Sequence, residues 1–171
     1  MGDKLVNVKA STAKDFIDNA HKAMHDPKKL GETTYDLQLK FKLDSKTKNI
    51  AKATMTLKTE TSRVHWSGPG KSKPDKANED AIKQIEDMNE AHEKAHRDTY
   101  QKAFDKLEDD LEEEMVGKTP KEAQKIMNKM KDALKEACEK LHKSEGLIDV
   151  NDDGQGNITI KEGAEGPGGC E

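Results

Sequence analysis

The residues best suited to chemistry are His92, Glu93 and His96, which form a His-Glu-x-x-His sequence. On a helix, residues four apart lie on one face, so both imidazoles can bind the same metal ion. Zn²⁺ is the ion that this pattern indicates, and Glu93 follows the first histidine, where it can act as general base on a zinc-activated water. The sequence therefore predicts a zinc site with His92 and His96 as ligands and Glu93 as the catalytic group.

The motif lies in a long amphipathic helix that we expect at about 76–115, after a glycine- and proline-rich loop and a capping residue, Asp75. Apolar residues recur with helical spacing, and His92 and His96 project near the middle of the apolar stripe. Two buried histidines without partners would each cost about 1–3 kcal/mol. Binding a metal would remove that cost.

A second long helix, expected at about 120–145, follows a short connection and should run antiparallel to the first. Folded back in this way, it places roughly residues 139–143 level with the two motif histidines. His142 lies within this range, and Glu145, three residues later, projects onto the apolar stripe of the second helix. Either can supply the third zinc ligand, and the sequence leaves both open.

The N-terminal part predicts strands and one short helix. A possible strand at 5–8 precedes a capped helix that runs to about residue 25. Apolar and polar residues then alternate over 35–43 and 51–66, with turn residues between them, as in an antiparallel hairpin. The predicted fold class is α+β, with an antiparallel β-hairpin sheet packed on a long antiparallel helical hairpin and a short N-terminal helix.

We expect one zincin-like domain over residues 1–148, followed at 149–171 by a loop or hairpin and a flexible glycine-rich tail. Residues 151–162 fit a strand–turn–strand. They also have the spacing of a degenerate Ca²⁺ loop, although Asn151 and Gln155 stand where carboxylates are usual.

Composition excludes several classes of protein. The chain has 171 residues, 37% of them charged, and a mean hydropathy of −1.04. Its net charge of −4 comes from interspersed acidic and basic residues, so no nucleic-acid partner is expected. No apolar run approaches the roughly 20 residues of a membrane span, and as written the chain is leaderless and soluble.

Cys138 and Cys170 are too few for a disulfide framework, so two reduced thiols are expected and the compartment stays open.

The His92–His96 motif resembles that of the zincin metallopeptidases. The order of elements from Tyr35 to Gly146, with Trp66 before the metal helix, is most similar to a small bacterial family of predicted zinc-dependent proteases. In that family the second helix ends in His-Gly, whereas here Glu145 precedes the glycine. The resemblance implies hydrolysis of a peptide or protein substrate in a secreted or periplasmic setting.

The resemblance also implies that an extended substrate pairs with a sheet edge, for which the 51–66 strand is a candidate. Tyr35, His65 or Tyr100 could donate a hydrogen bond to the developing oxyanion. The alternative is a non-catalytic interaction module, either stabilised by zinc or free of metal.

Overall fold

The computed structural model describes residues 3–143, 145–164 and 170. The predicted glycine-rich tail falls mostly on 165–169 and 171, outside the described residues. The elements in chain order are β1 (Lys4–Val8), α1 (Ala13–Met24), β2 (Gly31–Leu43), β3 (Ile50–Trp66), α2 (Lys76–Asp105), α3 (Glu108–Met115), α4 (Pro120–His142), β4 (Gly146–Asp152) and β5 (Ile158–Ala164). The α+β class is confirmed.

The main sheet has three strands in the order β1-β3-β2. β2 and β3 form the predicted antiparallel hairpin, in constant register from Gly31 opposite Arg63 to Lys42 opposite Lys52, after which the register shifts and Leu43 lies opposite Ile50. β1 pairs in parallel with the end of β3, from Lys4 opposite Ser62 to Val8 opposite Trp66. β3 is therefore the central strand, but β1 covers only its last five residues, Ser62–Trp66. Within the described sheet the rest of β3 has no partner strand on that side, and its use as a binding edge stays a prediction. In the described part of the chain, β2 lies at the edge.

The buried side chains form two clusters that meet around α2. One joins the hairpin to α3 and α4 and includes Tyr100, Met115 and Leu134. The other joins α1, β3 and the first half of α2 and includes Phe16 and Ile82. Since α2 packs against β2, β3 and α4, its middle turns are shielded from water on several sides.

The predicted helix at 76–115 is wrong in one respect, because it is broken after Asp105. Lys106 and Leu107 separate α2 from α3, and the Leu107 amide hydrogen-bonds to the Phe104 carbonyl over a tight turn. The break allows α3 to pack against β3 with Leu111 and Met115 buried. Packing of these apolar side chains outweighs the continuous helical pattern of the sequence.

The second long helix ends earlier than predicted, at His142 rather than near 145. Thr119 and Glu122 form the capping box that starts it. The chain then enters β4 at Gly146, whose φ of 115° is a conformation that side chains other than hydrogen disfavour. Glu145 consequently lies beyond the helix, in the connection to β4.

Residues 146–164 form an antiparallel hairpin, so the strand–turn–strand interpretation is confirmed. In its turn, the Asp153 carboxylate accepts hydrogen bonds from the Gln155 and Asn157 amides. In the described residues, β4 and β5 flank this turn, whereas a helix precedes and follows the calcium loop of an EF-hand.

Candidate metal centre

The motif residues lie close together on α2, and all three are buried. His92, Glu93 and His96 are 7%, 3% and 5% exposed. Asp75 caps the helix through the Asn78 amide, and Asn89 donates from its side-chain amide to the Leu30 carbonyl at 3.0 Å. This bond ties the helix to the beginning of β2.

Three imidazoles converge through the same ring atom. His96 Nε2 lies 3.0 Å from His92 Nε2 and 2.9 Å from His142 Nε2. Nitrogen ligands at the usual 2.0–2.1 Å from Zn²⁺ would lie about 3.3 Å apart in a tetrahedral site. Both distances from His96 Nε2 are close to this value, and the ligand atoms of the three residues all lie within 4.8 Å of one another. Imidazole nitrogens are also donors that suit Zn²⁺.

Burial favours the neutral form of the His92 and His96 imidazoles, which is the form that binds metals. Desolvation, with smaller contributions from His92 and His142, lowers the pKa of His96 to about 3. Desolvation also lowers the pKa of His92, followed by repulsion from His142, while Glu162 acts in the opposite direction. At neutral pH, His92 and His96 therefore offer a ring nitrogen lone pair rather than a bound proton.

Glu93 is held beside the histidines by contacts with β2. Its Oε2 accepts a hydrogen bond from Thr33 Oγ1 at 2.6 Å. Thr33 Oγ1 also lies 3.0 Å from Thr61 Oγ1, to which Arg97 donates at 3.2 Å. This hydrogen-bonded chain across β2 and β3 fixes the carboxylate, and a small pocket opens beside it between residues 28–33, the motif, His142 and Gly146.

The close approach of β2 to Glu93 depends on Gly31. A Cβ atom on this residue would lie 2.5 Å from Glu93 Oε1 and 2.8 Å from both Cδ and Cγ. Real Cβ atoms do not come so near other heavy atoms, so any larger residue at position 31 must displace the glutamate.

Glu145 lies on a different side of the histidine cluster from His142. Its Oε2 is 3.9 Å from His92 Nδ1, the ring nitrogen that does not face His96. Glu162 of β5 belongs to the same group of possible ligands. Glu145 thus stands behind His92, whereas His142 meets the other histidines at the point of convergence.

Comparison with protein families identifies the relatives of this chain. Residues 5–148 match the family described as "Bacterial protein of unknown function (DUF922)". The chain belongs to this family. Comparisons with curated proteins and with solved structures give no significant match. The family match includes the motif helix and His142, and it ends within β4.

Within this family member, Cys138 and Cys170 form a disulfide, so the expectation of two reduced thiols is wrong. The chain returns to α4 after β5 and brings the two Cα atoms within 5.8 Å, a separation that a disulfide spans readily. A count of two cysteines could not reveal this, because the return of the chain is a tertiary feature. The disulfide lies against His96 and His142.

No role for Thr33 or Gly31 was predicted from the sequence. One signal was available, since Thr33 occupies an inward-facing position of β2, where its neighbours in the pattern are apolar. The three side chains proposed as oxyanion donors do not line the pocket. His65 Nδ1 contacts Glu86 at 2.9 Å, and the Tyr35 and Tyr100 rings pack 5.1 Å apart.

No helix in the described ranges is both long and apolar enough to cross a membrane.

Proposed function

We propose that this protein is a zinc-dependent peptidase in which His92, His96 and His142 hold the ion and Glu93 is the general base. The observation that carries the proposal is the convergence of three buried Nε2 atoms beside a carboxylate that opens onto a pocket. The family match does not specify an activity, so the chemistry rests on these side chains.

Zn²⁺, when bound, lowers the pKa of a water molecule and polarises a carbonyl group. His92, His96 and His142 would supply three nitrogen donors, and three protein ligands would leave one position of a catalytic zinc ion for water or substrate. Glu93 can accept a proton from water at its carboxylate and pass it to the amine that leaves when the peptide bond breaks. Thr33 and Gly31 fix the direction from which Glu93 approaches.

A peptide substrate would bind along β2 in this proposal. β2 is one of the two edge strands of the described sheet, and its first residues line the pocket. Its free backbone groups can pair with an extended chain, which delivers a peptide bond to Glu93. The predicted arrangement of a β-hairpin on an antiparallel helical hairpin would hold edge and motif together.

Metal analysis and cleavage assays on the purified protein test the proposal. We expect about one Zn²⁺ per chain, as in single-ion catalytic sites, and cleavage of a peptide mixture that stops on chelation and returns with Zn²⁺. His96→Ala should lose both the metal and the activity. Bound zinc without cleavage would instead favour a non-catalytic, zinc-stabilised module, and a metal-free, inactive protein would favour a metal-free interaction module.

Gly31→Ala should reduce cleavage sharply while the zinc content stays near one. The new methyl group collides with the Glu93 carboxylate, and a catalytic group displaced by about 1 Å can cost on the order of 10²-fold in rate. Gly163→Ala is the matched control, because nothing lies within 4 Å of a Cβ at that position of β5. Equal activity of the two variants would show that the position of Glu93 does not limit cleavage.

A further inference from the structure

The disulfide lies directly behind two of the three converging histidines. Cys138 Sγ is 3.7 Å from His96 Nδ1, and Cys170 Sγ is 3.3 Å from His142 Nδ1. The two sulfur-bearing residues are 0% and 6% exposed. The sulfurs therefore face the ring nitrogens that point away from the proposed zinc site.

We propose that reduction of the disulfide creates a second metal site from Cys138 Sγ, Cys170 Sγ and His142 Nδ1. The candidate ligand atoms of these three residues lie within 4.8 Å of one another. Cys138 and His142 are four residues apart on α4, so they share one helix face, and Cys170 approaches them from the returning chain. Two thiolates and an imidazole are a donor set that Zn²⁺ and Co²⁺ bind well.

The redox step needs an external two-electron donor, for which a water-soluble phosphine serves. Phosphorus attacks one sulfur and the S–S bond breaks. Water then gives its oxygen to phosphorus, forming a phosphine oxide, and its two protons to the two sulfurs. A divalent ion that binds afterwards displaces both thiol protons.

The two sites would compete for His142. A neutral imidazole carries its proton on one ring nitrogen, so only the other nitrogen has a lone pair available to bind a metal ion. In the oxidised protein Nε2 faces the other histidines, whereas in the reduced protein Nδ1 would face the thiolates. After reduction the ion would bind at the thiolate site instead of beside Glu93, and peptide cleavage would stop. This last consequence rests on the proposed function, but the thiolate site itself does not.

Anaerobic Co²⁺ titration of the full chain, before and after phosphine treatment, tests the second site. Thiolate ligation gives an intense near-ultraviolet charge-transfer band that imidazole ligation lacks. We expect no such band in the oxidised protein, a strong band in the reduced protein, and its loss in reduced Cys170→Ser. Reduced His92→Ala is the decisive control, since it lacks one proposed zinc ligand but retains all three thiolate-site ligands.

The outcomes separate this proposal from the proposed function. A band in reduced His92→Ala supports the thiolate site whether or not the oxidised protein binds metal or cleaves peptides. Absence of the band in the reduced protein overturns the proposal, as does an equal band in reduced Cys170→Ser. Far-ultraviolet circular dichroism monitors folding, and a reduced chain that stays unfolded in the presence of Co²⁺ overturns the proposal as well.

Discussion

Glu93→Gln should lower the rate of peptide cleavage by about 10²–10⁴-fold, the usual contribution of a positioned general base. Glutamine has nearly the same shape, and its amide oxygen can still accept the hydrogen bond from Thr33 Oγ1, which now spans 2.6 Å. The amide, however, cannot take up a proton at neutral pH. The measurements are the rate constant for cleavage of a fluorogenic peptide and the zinc content of the same sample.

Glu90→Gln is the matched control for this experiment. Glu90 lies three residues earlier on α2 and pairs with Arg63 at 3.1 Å, but its side chain is 55% exposed and does not line the pocket. We expect it to retain both zinc and activity. If Glu93→Gln cleaves peptides as fast as the unchanged protein, the general base has been assigned to the wrong residue.

His142→Ala should weaken zinc binding by more than about 100-fold. Loss of a residue that only supports a ligand costs about 10–100-fold in affinity, and loss of a direct ligand should cost more. His142 Nε2 lies 2.9 Å from His96 Nε2, at the point where the three imidazoles meet. Removal of this side chain leaves only two nitrogens from α2, too few for a stable site. Competition with a chromophoric chelator gives the dissociation constant directly.

Glu145→Ala provides the comparison, because the sequence left it and His142 as equal candidates for the third ligand. Its carboxylate stands 3.9 Å from His92 Nδ1, so it can orient that ring without reaching the ion. We expect a loss of affinity of at most about tenfold, at the lower end of the range for outer-shell partners. A larger loss in Glu145→Ala than in His142→Ala would assign the third ligand to Glu145. Circular dichroism of both metal-free variants checks that they remain folded.

The amino-acid sequence by itself determined much of the local structure. Strict alternation defined the β2–β3 hairpin, and the helical repeat with its capping residues defined α1 and α4 to within a few residues. It also placed His92 and His96 on one buried helix face, with Glu93 next to His92 in the chain. These features depend on residues close together in the chain, where backbone geometry alone relates spacing to position.

Only the tertiary structure decided which more distant residues accompany the motif. His142 and Glu145 are three residues apart, and their separation into a converging imidazole and a carboxylate behind His92 follows from where α4 ends and the chain turns at Gly146. Gly31 and Thr33 reach Glu93 from about sixty residues earlier, through the packing of β2 on α2.

The break between α2 and α3 and the pairing of Cys138 with Cys170 were likewise decided by packing between distant segments. Helical periodicity continues through residues 105–108, yet the burial of Leu111 and Met115 against the rest of the fold redirects the chain. Local spacing carries no information about such contacts, because their free energy comes from surfaces that meet only after the chain has folded.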